Sequence, residues 1–227
     1  MPTLEERLAA VRGAIADAAR AADRDPAGIT TIVVTKFHPP SLVRELATLG
    51  VRDFGENRHQ EAEAKAAELT DVDAAWHFIG QLQSNKARAV RRYASAIHSV
   101  DRTSLVRALG DPEPGDTHPL DVFIQVDLSD DPGRGGVVPA ELDPLVDAVL
   151  AKGDLRLRGL MAVAPLGADP ARAFAAVRGL AERVRVAAPS ATALSMGMSG
   201  DFAAAIREGA THLRIGTAIT GKRPDAG

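Results

Sequence analysis

Lys36 is the residue of this chain with the clearest potential for chemistry. It follows directly on the apolar, β-branched run 29–35, whereas the four other lysines lie in helical or terminal segments that we expect to be exposed to solvent. Because burial disfavours the charged form of an amine, a lysine at the end of a buried strand can present a neutral, nucleophilic amine. Such an amine is what a Schiff base with an aldehyde or ketone requires. The alternative is a lysine whose alkyl chain packs at the strand end while its ammonium group reaches water.

The segment 195–200 is a candidate binding site for a phosphate or another anion. It contains two glycines and precedes a predicted helix over residues 201–208. A glycine-containing turn before a helix offers free backbone N–H groups, to which Ser199 would add its hydroxyl. In the alternative interpretation, Ser199 or Asp201 only caps the helix.

Arg214 lies inside the otherwise apolar predicted strand His212–Ile215, and Gly216 and Thr217 follow at the C-terminal end of that strand. Because burying a cation without a partner is costly, this arginine needs a partner. A ligand is one possibility, and a carboxylate that only stabilises the fold is the other. Gly216 and Thr217 would add backbone N–H groups and a hydroxyl to those of the preceding loop.

The composition excludes or disfavours several other classes of function. The chain has no cysteine, so disulfides, thiolate catalysis and cysteine-bound metals are excluded. Its six histidines, at positions 38, 59, 77, 98, 118 and 212, show no metal-ligand spacing, and there is no nucleotide-binding G-x-G-x-x-G or Walker motif. The net charge of −3 gives no reason to expect nucleic acid as a partner. Without an apolar run of about 20 residues or a signal-peptide pattern in residues 1–20, we expect a cytoplasmic protein that does not contact a membrane.

Apolar runs and amphipathic patterns alternate along the chain. Apolar residues at three- and four-residue spacing predict an N-terminal helix over residues 4–22. Short apolar runs then predict eight strands, at 29–35, 51–54, 76–79, 94–98, 122–126, 155–161, 193–196 and 212–215. Helical patterns lie between or after them, at 40–49, 59–69, 85–93, 104–109, 140–151, 170–187 and 201–208.

This alternation predicts a parallel sheet with right-handed crossovers. Eight units favour a closed (β/α)8 TIM-type barrel with an extra N-terminal helix, and an open doubly wound sheet is the alternative. We expect one domain over residues 1–227, with a loop insertion at 110–118. In such barrels chemistry collects where the strands end, and a phosphate site commonly follows strands seven and eight. Lys36, Ser199, Gly216 and Thr217 all occupy such positions.

Six blocks of the sequence, in order, resemble those of the pyridoxal phosphate homeostasis proteins. They are VVTK at 33–36, FGENR at 54–58, HFIGQLQSNK at 77–86, GLM at 159–161, LSMGMS at 194–199 and RIGT at 214–217. The resemblance covers nearly the whole chain. It implies a (β/α) barrel similar to the N-terminal domain of bacterial alanine racemases.

The resemblance also implies a ligand, pyridoxal 5′-phosphate (PLP), held as an internal aldimine on Lys36. By matching position, Arg214 would face the pyridine nitrogen and keep it unprotonated, which makes the cofactor a weaker electron sink than in enzymes that place an acid there.

The remaining matches imply the other cofactor contacts. Asn57 and Met161 would lie near the ring, and Ser199, Gly216 and Thr217 would hold the phosphate.

One position departs from the family pattern. In the segment 131–136, Arg134 stands where we expect a lysine. Arginine keeps the positive charge but cannot form a Schiff base. Any transfer of PLP through a second lysine in this loop is therefore in doubt for this chain.

Three functions compete at this point. The resemblance implies a non-enzymatic PLP carrier that buffers the cofactor or delivers it to PLP-dependent apo-enzymes. We expect a monomer, because the added domain through which the racemases dimerise is missing. A PLP-dependent racemase would need an acid/base on each face of the adduct, whereas Lys36 serves one face and the single tyrosine, Tyr93, falls in a helical pattern. A Schiff-base aldolase acting on a phosphorylated sugar would also use a lysine and a phosphate site, but Arg214 in mid-strand argues against it.

Overall fold

The computed structural model describes residues 2–110, 119–129 and 133–222, in which eight parallel strands close into one barrel in sequence order. The strands are β1 (Thr30–Val34), β2 (Asp53–Glu56), β3 (Ala75–Phe78), β4 (Ala96–Val100), β5 (Leu120–Gln125), β6 (Leu155–Met161), β7 (Ala193–Ser195) and β8 (His212–Ile215). Pairing of β8 with β1, in a register that sets Ile215 beside Val33, closes the barrel. The predicted (β/α)8 fold is confirmed, and the open sheet is not formed.

One helix precedes the barrel and the others follow its strands. They are α1 (Leu4–Arg20), α2 (Pro40–Thr48), α3 (His59–Glu68), α4 (Ala87–Arg91), α5 (Thr103–Leu109), α6 (Leu142–Leu150), α7 (Pro170–Ala187), α8 (Phe202–Arg207) and α9 (Thr217–Thr220). α1 begins at a capping box in which Thr3 and Glu6 bind each other's backbone N–H groups. Its buried residues, Leu4, Leu8, Ile15 and Ala19, repeat at helical spacing and belong to the main core. In the part of the chain that the structure describes, no helix combines the length and the apolar composition that a membrane span needs.

Several predicted boundaries are wrong by a few residues. The run predicted at 51–54 becomes a strand only from Asp53, because Val51 is buried in the preceding loop without joining the ladder. The helix predicted at 85–93 is a 3-10 turn, Ser84–Lys86, followed by the short α4. α9 was not predicted, and of the predicted insertion at 110–118 only Gly110 lies within the described residues.

Successive side chains of each strand point alternately to the helices and into the barrel. Those that face the helices are large and apolar, such as Phe54, Phe78 and Leu160, and they join the main core. Ala96, Phe123, Met161 and Ala193 form a separate apolar cluster inside the barrel. The barrel interior also contains buried polar residues, namely His77, His98, Ser195 and Arg214.

Candidate functional site

All seven residues implied as cofactor contacts lie at or near the C-terminal ends of five adjacent strands. Lys36 follows β1, Asn57 follows β2 and Met161 ends β6. Ser199 follows β7, Arg214 lies in β8, and Gly216 and Thr217 come directly after β8. Because β6, β7, β8, β1 and β2 are consecutive neighbours in the closed barrel, these residues share one arc of its mouth.

Lys36 lies in a turn whose backbone is held in an unusual conformation. Strand β1 ends at Val34, so Lys36 comes two residues after the strand and is partly exposed. The next residue, Phe37, adopts a left-handed φ of 69°, which is costly for a residue with a bulky side chain. The Phe37 N–H donates to Oε1 of Glu61 at 2.5 Å, and that contact holds the strained turn. Nζ of Lys36 lies 5.8 Å from the centroid of the Phe37 ring.

Beneath this turn lies a buried ion-pair cluster centred on Lys65. Its Nζ donates to Oε1 of Glu56 at 2.8 Å, to Oε1 of Glu61 at 2.7 Å and to the carbonyl of Thr35 at 2.9 Å. The Lys65 side chain is 3% exposed, so the prediction that every lysine except Lys36 lies in solvent is wrong. Because Thr35 and Phe37 flank Lys36, the cluster fixes the backbone on both sides of the amine-bearing residue.

Glu56 is the most deeply buried charged side chain of this cluster. Its side chain is 1% exposed, and Oε1 accepts hydrogen bonds from both Lys65 and the hydroxyl of Thr35, the latter at 2.7 Å. Its other oxygen, Oε2, is buried and has no hydrogen-bond partner among the described residues. Burial raises the pKa of Glu56 above its usual value. The hydrogen bond and the charge of Lys65 lower that pKa but do not cancel the effect of burial.

Asn57 owes its position to a close backbone contact. A Cβ atom at Gly80, after β3, would lie 2.1 Å from the carbonyl oxygen of Asn57, so only glycine permits the two segments to approach this closely. Asn57 itself is partly buried. The segment around Gly80 therefore helps to position Asn57 through a backbone contact.

Arg214 is buried, 5% exposed, and is held by oxygen atoms at the ends of two other strands. Nη1 donates to the carbonyl and to Oγ of Ser195, both at 2.7 Å, and Nη2 donates to the carbonyl of Ala162 at 2.9 Å. Among the described residues no carboxylate forms an ion pair with Arg214, although the charge of Asp201 acts on it, so the alternative of a structural Arg–carboxylate pair is wrong for this part of the chain. Burial lowers the pKa of Arg214 to about 10, which leaves it cationic at neutral pH.

The loop after β7 exposes unused backbone donors. Gly197 has a φ of +96°, and a Cβ there would lie 2.6 Å from that of Ala205, so the turn requires glycine. Asp201 occupies the N-cap position of α8, but its Oδ1 accepts from the Met198 N–H at 2.5 Å instead of binding the helix. Within the described residues no acceptor is found for the N–H groups of Ser199 and Gly200.

The neighbouring segment after β8 also contains backbone N–H groups that bind no other described residue. The carbonyl of Gly216 accepts from the N–H groups of Ile219 and Thr220. In contrast, the N–H groups of Gly216 and Thr217 have no acceptor in the described part of the chain, and Thr217 is exposed. Two adjacent loops thus direct free donors at the mouth of the barrel, an arrangement suited to an anion.

Met161 forms part of the floor of the site. It is 2% exposed and packs with Phe123 and Ala193 inside the barrel.

The comparisons with known proteins agree with this geometry. Residues 8–224 match the family model of the alanine racemase N-terminal domain. The pyridoxal phosphate homeostasis protein of Pseudomonas aeruginosa is 44% identical over 223 residues, which cover 98% of this chain and 97% of that protein. The chain belongs to the pyridoxal phosphate homeostasis protein family.

Two solved structures are also similar to this chain. One is the structure of PipY from Synechococcus elongatus PCC7942 with PLP bound, which superposes with a TM-score of 0.85. The alignment covers 96% of this chain and 100% of PipY, and the two sequences are 39% identical. An alanine racemase from Corynebacterium glutamicum has a TM-score of 0.68 at 19% identity, over 95% of this chain and 62% of the racemase. The second likeness shows the barrel fold alone.

The chain departs from the expected family pattern at Arg134, in a loop of which residues 130–132 lie outside the described part. Nη2 of Arg134 donates to the carbonyl of Ala164, after β6, at 3.2 Å. Gly135 lies against Gln81, after β3, since a Cβ at Gly135 would be 2.6 Å from its Nε2. The loop after β5 therefore reaches the loops that follow β3 and β6.

Proposed function

We propose that this protein binds PLP covalently through Nζ of Lys36 and acts in PLP homeostasis as a carrier that buffers the cofactor or delivers it to apo-enzymes. The names of its relatives and the PLP bound to PipY support the ligand. The observation that carries the proposal is the set of groups on one arc of the barrel mouth. It combines a lysine amine, two loops with free N–H donors and a buried arginine.

The described residues fit PLP at both ends of the molecule. The free N–H groups of Ser199, Gly216 and Thr217, with the hydroxyls of Ser199 and Thr217, suit a phosphate. Arg214 uses three of its five N–H groups on protein oxygens, and those on Nε and Nη2 that remain can donate to an unprotonated pyridine nitrogen. Asn57 and Met161 would border the ring.

This arrangement favours storage of the cofactor over catalysis. When bound, PLP supplies an electrophilic carbon and an electron-withdrawing ring, and that withdrawal is strongest when the ring nitrogen is protonated. Arg214 remains cationic at neutral pH and donates a hydrogen bond without releasing its proton. Its position therefore limits the activation of a bound amino acid.

Absorbance spectroscopy of the purified protein tests the ligand assignment. We expect added PLP to give a yellow band that borohydride reduction converts into a stable adduct, and peptide mass spectrometry to locate that adduct on Lys36. Each of the other four lysines serves as an internal control. A protein that binds no PLP, or an adduct formed on another lysine, would contradict the proposal.

The carrier proposal predicts no substantial racemisation by the PLP-loaded protein. Racemisation needs an acid/base on the face opposite Lys36. The single tyrosine, Tyr93, contacts Nδ1 of His59 through its hydroxyl at 3.4 Å, and burial raises its pKa. Circular dichroism of L-alanine incubated with the loaded protein measures the rate. Turnover comparable to that of a dedicated alanine racemase would instead identify an enzyme.

A further inference from the structure

A chain of hydrogen bonds crosses the barrel interior beneath the proposed PLP site. It begins at Arg214, whose Nη1 donates to Oγ of Ser195 at 2.7 Å. Oγ of Ser195 lies 2.8 Å from Nδ1 of His98, and Nε2 of His98 lies 2.9 Å from Nδ1 of His77. Nε2 of His77 lies 2.9 Å from Oδ1 of Asp53. Asp53 is the first residue of β2, so the chain ends at the barrel entrance opposite the proposed site.

With both imidazoles neutral, the two ends of this chain allow one continuous arrangement of its protons. Arginine only donates, so Oγ of Ser195 accepts from it and, in this arrangement, gives its own proton to Nδ1 of His98. A neutral His98 then carries its proton on Nε2 and donates to His77. His77, in turn, carries its proton on Nε2 and donates to the carboxylate of Asp53. Starting from Asp53, which as a carboxylate only accepts, gives the same assignment.

The surroundings keep His98, in the middle of the chain, uncharged. His98 is fully buried, and burial together with the neighbouring cation Arg214 holds its pKa well below the usual value. Its ring stacks on Phe123 with centroids 4.2 Å apart. The neighbouring His212 binds the hydroxyl of Thr211, and burial lowers its pKa to about 4. No group of residues able to hold a metal is found in the described part of the chain, so the histidines are not explained as ligands.

We infer that Ser195, His98, His77 and Asp53 are positioning residues that hold Arg214 from the opposite end of the barrel. The chain binds one edge of the guanidinium. The Nε–H group and the one Nη2 N–H group that does not donate to Ala162 remain for a ligand at the mouth. The link to PLP rests on the proposed function, whereas the proton arrangement is a property of the protein alone.

Nitrogen-15 NMR of the ligand-free protein tests the chain directly, because the two neutral tautomers of histidine have opposite patterns of ring-nitrogen shifts. We expect both His77 and His98 to be neutral Nε2–H tautomers at neutral pH. In Ser195→Ala, His98 loses its proton donor and its ring-nitrogen shifts change, whereas Ser195→Thr keeps the hydroxyl and the wild-type pattern. An Nδ1–H tautomer or an imidazolium at either position in the wild type would overturn the inference.

Asp53 provides the sharpest test, since it does not touch Arg214. In Asp53→Leu we expect shifts of the nitrogen signals of His98 and of the Arg214 Nε–H, and Asp53→Asn, which retains an acceptor oxygen, should shift them less. Arg52→Leu, which removes the neighbouring exposed ion pair with Asp73, serves as the matched control and should leave both signals in place. Unchanged Arg214 signals in a folded Asp53→Leu protein would overturn the positioning role. If the wild-type protein fails to bind PLP, only the proposed function is contradicted.

Discussion

Replacing Lys36 with alanine is expected to abolish the covalent capture of PLP. Alanine lacks the amine, so the yellow band and the borohydride-stable adduct should fall to background. Ser199, Gly216, Thr217 and Arg214 would still contact the phosphate and the pyridine nitrogen, so weak, reversible binding should remain detectable by equilibrium dialysis. Because Lys36 is partly exposed, the free energy of unfolding should change by no more than about 0.5 kcal/mol.

Two further variants separate the amine from the positive charge. Lys36→Arg keeps the charge but cannot form the covalent bond, and it should behave like Lys36→Ala in borohydride trapping. Lys222→Ala, at an exposed position beyond α9, is the matched control and should trap PLP as the wild type does. A stable adduct in Lys36→Ala would show that another lysine captures the cofactor.

Most of the fold was predictable because strands buried on both faces read as continuous apolar runs. All eight strands and the N-terminal helix form close to their predicted positions. The exact ends were not predictable, because they depend on hydrogen bonds between strands far apart in sequence. α9 has four residues, too few for a helical period to be visible.

The buried lysine cluster left a sequence signal that the prediction did not use. Ala62, Lys65 and Leu69 are spaced at three and four residues on α3 or at its end, and all three are buried. Lys65 therefore stands in the apolar stripe of its helix, where a charge needs a partner. Glu61, four residues earlier, is the local half of that partnership. Glu56 comes from a strand, and only the fold brings it there.

The interior hydrogen-bond chain could not be predicted from the sequence, for a different reason. His77 and His98 are polar residues within buried strands, which is the same feature that made Arg214 a candidate. Local pattern does not reveal which of them meet, because the chain joins residues of β2, β3, β4, β7 and β8 across the barrel. Closure of the barrel supplies those contacts.

Substitution of methionine for Lys65 should cause the largest loss of stability. Methionine has a similar length but leaves the nearly fully buried carboxylate of Glu56 without its cation. Removal of one partner of a buried ion pair costs about 3–5 kcal/mol. We expect urea unfolding at neutral pH to show a loss of this size. Arg44→Met, which breaks the exposed pair with Asp71, is the matched control and should change stability little.

The pH dependence of this loss identifies its cause. Burial already raises the pKa of Glu56, and removal of Lys65 takes away two of the three interactions that lower it, leaving only the hydrogen bond from Thr35. A carboxyl group whose folded pKa is raised costs stability once the pH exceeds its unfolded pKa, and that cost disappears as protonation becomes complete at lower pH. The difference in unfolding free energy between Lys65→Met and the wild type should therefore shrink in mildly acidic buffer. Glu56→Gln, combined with Lys65→Met, should recover part of the loss at neutral pH. A loss that is independent of pH and unchanged by Glu56→Gln would mean that packing of the lysine alkyl chain, and not the buried charge, stabilises the turn that presents Lys36.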